Sequence, residues 1–348
     1  MKERNLALDS LKGLAVIGVV KVHANTGVFS GFTNNFIISG GKGVQMFFII
    51  SVMLMMKSFF SASSDNNFSM IKWFSRRFIR LIPIYYFVLI CTLVTTNQAY
   101  SIPNILSHFL FLHGFNPYWT GSIISICWYL GTLTIFTLCI PIICKYINTF
   151  KKSIYLFVIT SALSIGIRGI ALFTANLDDY SIHSFWGAFS FITQAPVATI
   201  GVILYFIVYK EDTISKIKRH IRNKNKALIS FASLVLLYIL YTVENLFGYG
   251  YIIHSSIFAL IILSQLVYES KIICNRLFAT IGRYSYGIYL THLFYLTILS
   301  QHIPHRTSEG LYYIILLSCT ILCSFITSFV LTHLLETPFV KLFSKIIN

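Results

Sequence analysis

Apolar residues run along this chain in long blocks, broken by short clusters of charge or by turn residues. Blocks of this length read as membrane-crossing helices, each needing about 20 apolar residues. Their edges predict ten spans, near 9–29, 36–58, 78–97, 123–145, 153–175, 186–209, 227–246, 250–268, 279–300 and 311–335. Every second break is basic: Lys57, Lys72, Arg76 and Arg77; Lys145, Lys151 and Lys152; the run Lys210 to Lys226; then Lys271 and Arg276. Lys341 and Lys345 follow near the end. The breaks between hold almost no Lys or Arg, and one carries Asp178 and Asp179. The positive-inside asymmetry assigns the basic loops and both termini to the cytoplasm. The expected fold class is therefore all-α, a polytopic membrane helical bundle of about ten transmembrane helices.

Two stretches depart from this rhythm. Residues 101–121 hold a Ser-Ile-Pro-Asn start, an apolar piece from Leu106 to Leu112, and His-Gly-Phe-Asn-Pro-Tyr-Trp. The apolar piece is too short to span, so an outer-face loop with a buried or re-entrant part is expected. Residues 210–226 mix acids with many bases, which suits a cytoplasmic amphipathic connector on anionic lipid. No internal repeat and no separate soluble domain is evident, so any chemistry is expected among the helices.

Composition agrees. The 348 residues are 56% hydrophobic and only 11% charged, against about 25% charged for a soluble domain. The net charge of +16 is accounted for by cytoplasmic loops, and no nucleic-acid partner is expected. The seven cysteines lie mostly in apolar runs with no CxxC pair. They read as packed thiols, and neither a disulfide framework nor a metal site is expected. The first apolar run has no small-residue cleavage site and bears Lys21 and His23, so it reads as a retained span.

That first run gathers polar groups on one face. Lys12 and His23 are eleven residues apart, only about 20° out of register and about 16 Å apart along a helix. Asp9 lies one turn before Lys12 on the same side. Such groups inside a membrane helix ask for a protein interior or a wet path. The plain alternative is a snorkelling lysine and a histidine bonded between helices.

Further candidates follow along the chain. Arg77 and Arg80 lie one turn apart at the cytoplasmic start of span three, a pairing that suits phosphate but also serves as a simple membrane anchor. Lys42 sits among glycines at the outer end of span two, ahead of the segment that ends at Ser51. Trp128, before Tyr129, fits either an interfacial belt or a platform for sugar faces. Arg168, in the outer half of span five, needs a partner or a wet cavity. Tyr289 and His292 close the run Ser-Tyr-Gly-Ile-Tyr-Leu-Thr-His from Ser285, and Glu336-Thr337-Pro338 comes late.

Together these pieces resemble the acyltransferase-3 family of integral membrane acyltransferases. Leu8-Asp9-Ser10-Leu11-Lys12-Gly13-Leu14-Ala15 with His23 looks like the family's L-D-x-L-R-G-x-A opening and its histidine eleven residues on. Gly43 to Ser51 is similar to its G-V-x-x-F-F-x-x-S-G segment. Arg77, Arg80, Leu81 and Pro83 match R-x-x-R-I-x-P, while Trp128, Leu130, Phe136 and Pro141 match its W-x-L…P helix. Ser285 to His292 and Glu336 with Pro338 look like its closing motifs. Three positions depart: Lys12 replaces an arginine and loses its planar fork, Val52 stands at a common glycine, and Leu133 stands where many members have glutamate.

The resemblance implies one acyltransferase-3-like transmembrane domain over 1–348, in a bacterial cytoplasmic (inner) membrane. It implies an O-acyltransferase that moves an acyl group, usually acetyl, from cytosolic acetyl-CoA to a hydroxyl of a cell-envelope glycan. Lipopolysaccharide O-antigen or another surface polysaccharide would be the acceptor, with acyl-CoA a donor substrate and no bound cofactor. In that scheme Arg77, Arg80 and Lys12 meet the donor's phosphates, Asp9 orients Lys12, and His23 acts as general base or as acyl-carrying nucleophile. Lys42, Ser51, Trp128, Arg168, Tyr289 and His292 fall on the acceptor side or in support. The competing expectation is a transporter or flippase for a lipid-linked glycan or small polar solute.

Overall fold

The computed structural model describes residues 5–25, 27, 29–174, 186–220, 228–229, 232–233, 235–236, 239, 250–304 and 308–347. Among the described residues there is no strand. The helices are α1 (Leu6–His23), α2 (Gly31–Ile38), α3 (Gly43–Ser63), α4 (Met70–Thr95), α5 (Ile102–Phe109), α6 (Trp128–Tyr146) and α7 (Phe150–Thr174). They continue as α8 (Phe191–Tyr205), α9 (Thr213–His220), α10 (Gly250–Val267), α11 (Arg276–Arg283), α12 (Ser285–His302), α13 (Glu309–Leu331) and α14 (Thr337–Ile347).

Seven stretches among the described residues are long and apolar enough to cross a membrane: Gly31–Ser63, Met70–Thr95, Ser125–Tyr146, Phe150–Ile170, Trp186–Lys210, Gly250–Val267 and Glu309–Lys345. The described residues are thus helical with no strand, and their apolar helices are those of a multi-pass membrane protein. The other three expected spans have separate explanations. The one near 227–246 lies mostly outside the described residues, and the loop with Asp178 and Asp179 lies wholly outside them. The first corresponds to α1, which is helical but carries Asp9, Lys12 and Lys21. The ninth corresponds to α12, which is helical but rich in Ser, Thr, Tyr and His. Both helices hold residues named as candidates above: Asp9, Lys12 and His23 on α1, Tyr289 and His292 on α12.

The chain divides into two compact units. The first comprises Met1–Phe47 with Glu211–Thr337. Its axis is α1, capped by the Asn5 side chain, which accepts from the Leu8 amide at 3.0 Å. Small residues let other backbones touch α1 on two flanks. On one flank, a Cβ at Gly13 would stand 2.0 Å from the Phe278 carbonyl oxygen, and one at Gly282 would stand 1.8 Å from that of Asp9. On the other, a Cβ at Gly40 would meet the Gly18 oxygen at 2.0 Å, and one at Gly43 the Ala15 oxygen at 2.4 Å. The Ser10 hydroxyl donates to the Asn275 carbonyl at 3.2 Å. Asn275 also caps α11 by accepting from the Phe278 amide at 2.9 Å.

The second unit comprises Phe48–Lys210 with Pro338–Asn348. Here α3, α6 and α8 form the interior, while α7 presents exposed Val158, Ile159 and Leu163, the kind of surface that lipid covers. Val52 is buried, and a Cβ at Gly201 would lie 2.9 Å from the Val52 Cβ and 2.6 Å from the Ile49 carbonyl oxygen. Close helix approach at Val52 therefore survives, because the glycine is supplied by α8 instead of α3. The short-segment expectation for 101–121 meets α5, an eight-residue helix, followed by a 3-10 turn at His113–Phe115. Between them Phe111 has φ 58, a left-handed geometry that costs a non-glycine residue about 1–2 kcal/mol. Burial of its ring against Tyr85, 4.9 Å away, opposes that cost. Of the basic run 210–226, α9 is described: Ile214 is buried while Lys216, Lys218 and Arg219 are exposed, an amphipathic arrangement.

Candidate functional site

In the first unit, α1 and α12 bring two imidazoles together. His23 is the last residue of α1 and is exposed; His292 is fully buried on α12. Their ring centroids are 5.2 Å apart with planes 46° apart. The Nδ1 of His292 lies 2.7 Å from the Tyr289 carbonyl oxygen, one turn earlier. A carbonyl only accepts, so Nδ1 carries the hydrogen and Nε2 is a bare acceptor. That Nε2 is buried without a hydrogen-bond partner. The buried Tyr289 ring lies 5.9 Å from that of His292.

Neighbouring contacts hold this pair in place. A Cβ at Gly287 would be 2.3 Å from the Ser328 hydroxyl, which donates to the Tyr284 carbonyl at 2.7 Å, so α12 and α13 are in close contact. The Tyr313 hydroxyl of α13 donates to the Lys21 carbonyl at 3.2 Å, close to His23. Ala24, Ile37, Leu296, Tyr312, Tyr313 and Leu316 form an apolar core at this end. Asp9 and Lys12 are partly buried in the first three turns of α1, and Lys42 is partly buried at the end of the 3-10 turn Ser39–Lys42.

The second unit holds the other candidates. Arg77 and Arg80 share α4 but differ in setting: the Arg77 guanidinium lies 3.7 Å over the buried Trp73 ring, and Arg80 is exposed. Stacking orients the Arg77 fork, while Arg80 has no such ring beneath it among the described residues. Ser51 shares a side-chain hydrogen bond with the Tyr129 hydroxyl. Trp128 is buried, its ring 4.4 Å from Phe189 and 6.0 Å from Phe48, so it packs in an aromatic cluster instead of offering an open face. Arg168 is partly buried on α7. Among the described residues no group of His, Cys, Asp and Glu could hold a metal ion. The cysteines are all free thiols.

Two features escaped the sequence reading. Lys21 is nine residues from Lys12, about 180° around the helix, and so lies off the polar face that carries Lys12 and His23. It is buried, donates to the Phe36 carbonyl, and lies 3.7 Å over the Phe36 ring. The second is a histidine stack in the second unit. His108 and His113 are buried with centroids 4.1 Å apart and planes only 4° apart. The Tyr85 hydroxyl lies 2.9 Å from His108 Nδ1, His108 Nε2 donates to the Trp119 carbonyl at 3.2 Å, and His113 Nε2 donates to the Cys127 carbonyl at 2.9 Å. Burial, then repulsion from His113, holds the His108 pKa down to about 3. Burial holds His113 down to about 4. Both rings are neutral and bind loop carbonyls, so they fasten residues 107–127. Two histidines five apart in a short apolar run were the available signal.

Comparison with known proteins bears on what the histidine pair serves. The family described as "Acyltransferase domain", acyltransferase-3, matches residues 5–329. The chain belongs to the acyltransferase-3 family. Its match runs from the cap of α1 nearly to the end of α13 and so takes in both histidines. Staphylococcus aureus proteins from strains COL and MSSA476, each named "Putative O-acetyltransferase", are 26% identical over 98% of this chain and 58% of their own length. The chain thus spans somewhat over half the length of these relatives. A protein of Acidianus two-tailed virus named "Putative acetyltransferase" is 25% identical over 73% of this chain and 72% of its own. No solved structure matches.

Proposed function

We propose that this acyltransferase-3 family member is a membrane O-acyltransferase that moves an acetyl group from cytosolic acetyl-CoA to a hydroxyl of a cell-envelope glycan. The observation that carries the reading is the accessible His23 imidazole backed by buried His292, in a chain matched to an acyltransferase domain. His23 takes the proton of the sugar hydroxyl. The oxygen attacks the thioester carbonyl, the carbon–sulfur bond breaks, and the proton passes to the departing thiolate. The Arg77–Arg80 pair carries charge complementary to the donor's phosphates, the stacked guanidinium of Arg77 being the better oriented. The membrane of action is the bacterial inner membrane, and the acceptor a lipopolysaccharide side chain or another surface polysaccharide.

The test uses membrane vesicles with acetyl-CoA labelled in the acetyl group, assayed for label on glycan. Wild-type vesicles transfer label and His23→Ala vesicles of equal protein abundance do not. Full transfer by His23→Ala removes the mechanism, and solute movement without acylation points to transport. Mass spectrometry of surface glycans from cells with and without the protein then names the acceptor.

A further inference from the structure

We infer that His292 is the positioning residue of His23, its bare Nε2 receiving the ring N–H of His23 and so fixing which nitrogen His23 turns to substrate. The inference rests on the proposed acyl transfer and adds the device that orients its base.

Three observations lead here. The tautomer of His292 is set by its own helix, since Nδ1 donates to the Tyr289 carbonyl at 2.7 Å. Its Nε2 therefore accepts only, and it is buried with no hydrogen-bond partner. A buried acceptor left empty is costly, which favours any arrangement that brings a donor. The nearest ring is His23, 5.2 Å away between centroids and not yet hydrogen-bonded to it. His23 is exposed at the end of α1, so a rotamer change there meets little resistance. His292 cannot exchange roles with it, because it is 0% exposed and a substrate hydroxyl cannot reach its ring.

Engaging one nitrogen of His23 has two chemical effects. The other nitrogen becomes the bare one, so the population of the reactive tautomer rises. An acceptor at the back of the ring also raises the basicity of the front nitrogen and stabilises the imidazolium formed when His23 takes the proton. This is the part a carboxylate plays behind histidine in hydrolytic triads. Here a neutral imidazole, held by a backbone carbonyl, plays it without burying a charge.

The experiment compares His292→Leu, which keeps bulk and removes the acceptor, with His292→Gln, which presents a carbonyl oxygen to His23 and an amide to Tyr289. Steady-state acetyl transfer is measured in vesicles normalised for protein. His292→Leu should lower kcat by about 100-fold with KM for acetyl-CoA and glycan within about threefold. His292→Gln should recover at least about tenfold of the loss. An activity-independent reading is the rate at which diethyl pyrocarbonate modifies His23 at neutral pH, followed by peptide mass spectrometry. It should fall about threefold or more in His292→Leu and return toward wild type in His292→Gln. Unchanged kcat and unchanged His23 reactivity in His292→Leu, or Gln no better than Leu in both assays, overturns the inference. Absence of acetyl transfer in wild type overturns the proposed function instead, and the His23 labelling still decides the positioning role.

Discussion

Acidification should loosen the loop between α4 and α6 through the stacked histidines. An unfolded histidine titrates near 6.5, whereas burial and mutual repulsion hold His108 to about 3 and burial holds His113 to about 4. Depressed pKa values mean that the open loop binds more protons than the closed one between these limits. The stabilisation is therefore complete above about 6.5 and is lost as pH falls toward 4 and then 3. At pH 5 both closed rings are still neutral, so each loses about 1.5 pH units' worth, roughly 2 kcal/mol. Together that is about 4 kcal/mol, or about a 10³-fold rise in the open population. Hydrogen exchange of residues 107–127 in detergent at pH 7.5 and 5, corrected for intrinsic exchange, reads this directly. A His108→Gln/His113→Gln double variant keeps amide donors for the Trp119 and Cys127 carbonyls but does not titrate, so it should lack the fall in protection. An equal fall in both proteins would refute the reasoning, and so would none in wild type.

Other substitutions have expected outcomes. Gly282→Ala sets a methyl 1.8 Å from the Asp9 carbonyl oxygen and should cost about 3 kcal/mol or more, read as a lower unfolding temperature in detergent. Gly201→Ala, with its Cβ 2.6 Å from the Ile49 oxygen, should behave similarly, whereas alanine at Gly166, with open space around it, should be neutral or slightly stabilising in the same assay. Lys21→Met should change stability by less than about 1 kcal/mol, because the Phe36 carbonyl keeps the Ser39 hydroxyl as a donor at 2.8 Å; chemical denaturation checks this. Arg77→Gln should raise KM for acetyl-CoA more than Arg80→Gln does, since only Arg77 is held over Trp73; equal rises would refute the ranking by stacking, and a loss of abundance alone would leave both as membrane anchors.

The spans were readable because lipid demands long apolar blocks, and seven of the ten predicted stretches meet that standard. The pattern was least decisive where chemistry outweighs hydropathy: α1 carries Asp9, Lys12 and Lys21, and α12 a series of hydroxyls and His292. Family motifs named His23 and His292 separately. Their approach to 5.2 Å depends on how α12 meets α1, which no local pattern encodes. The histidine stack was hidden for a related reason, since its partners are backbone carbonyls of Trp119 and Cys127, and carbonyls have no letter in a sequence. At Val52 the family motif has a glycine that this chain lacks, which puts close packing there in question. The relief came from Gly201, some 150 residues away, and only the folded contact shows the two as one joint.

The glycine contacts along α1 have a mechanical consequence. With Gly13 seated on Phe278 and Gly282 on Asp9 along one flank, and Gly40 on Gly18 and Gly43 on Ala15 along another, the helix has no clearance to slide or turn. A one-turn ratchet of about 5.4 Å would drive backbone into backbone on both sides at once. Whatever travels during turnover, α1, α11 and the glycine turn before α3 move as one piece. His23 therefore keeps its place against these neighbours and does not slide past them.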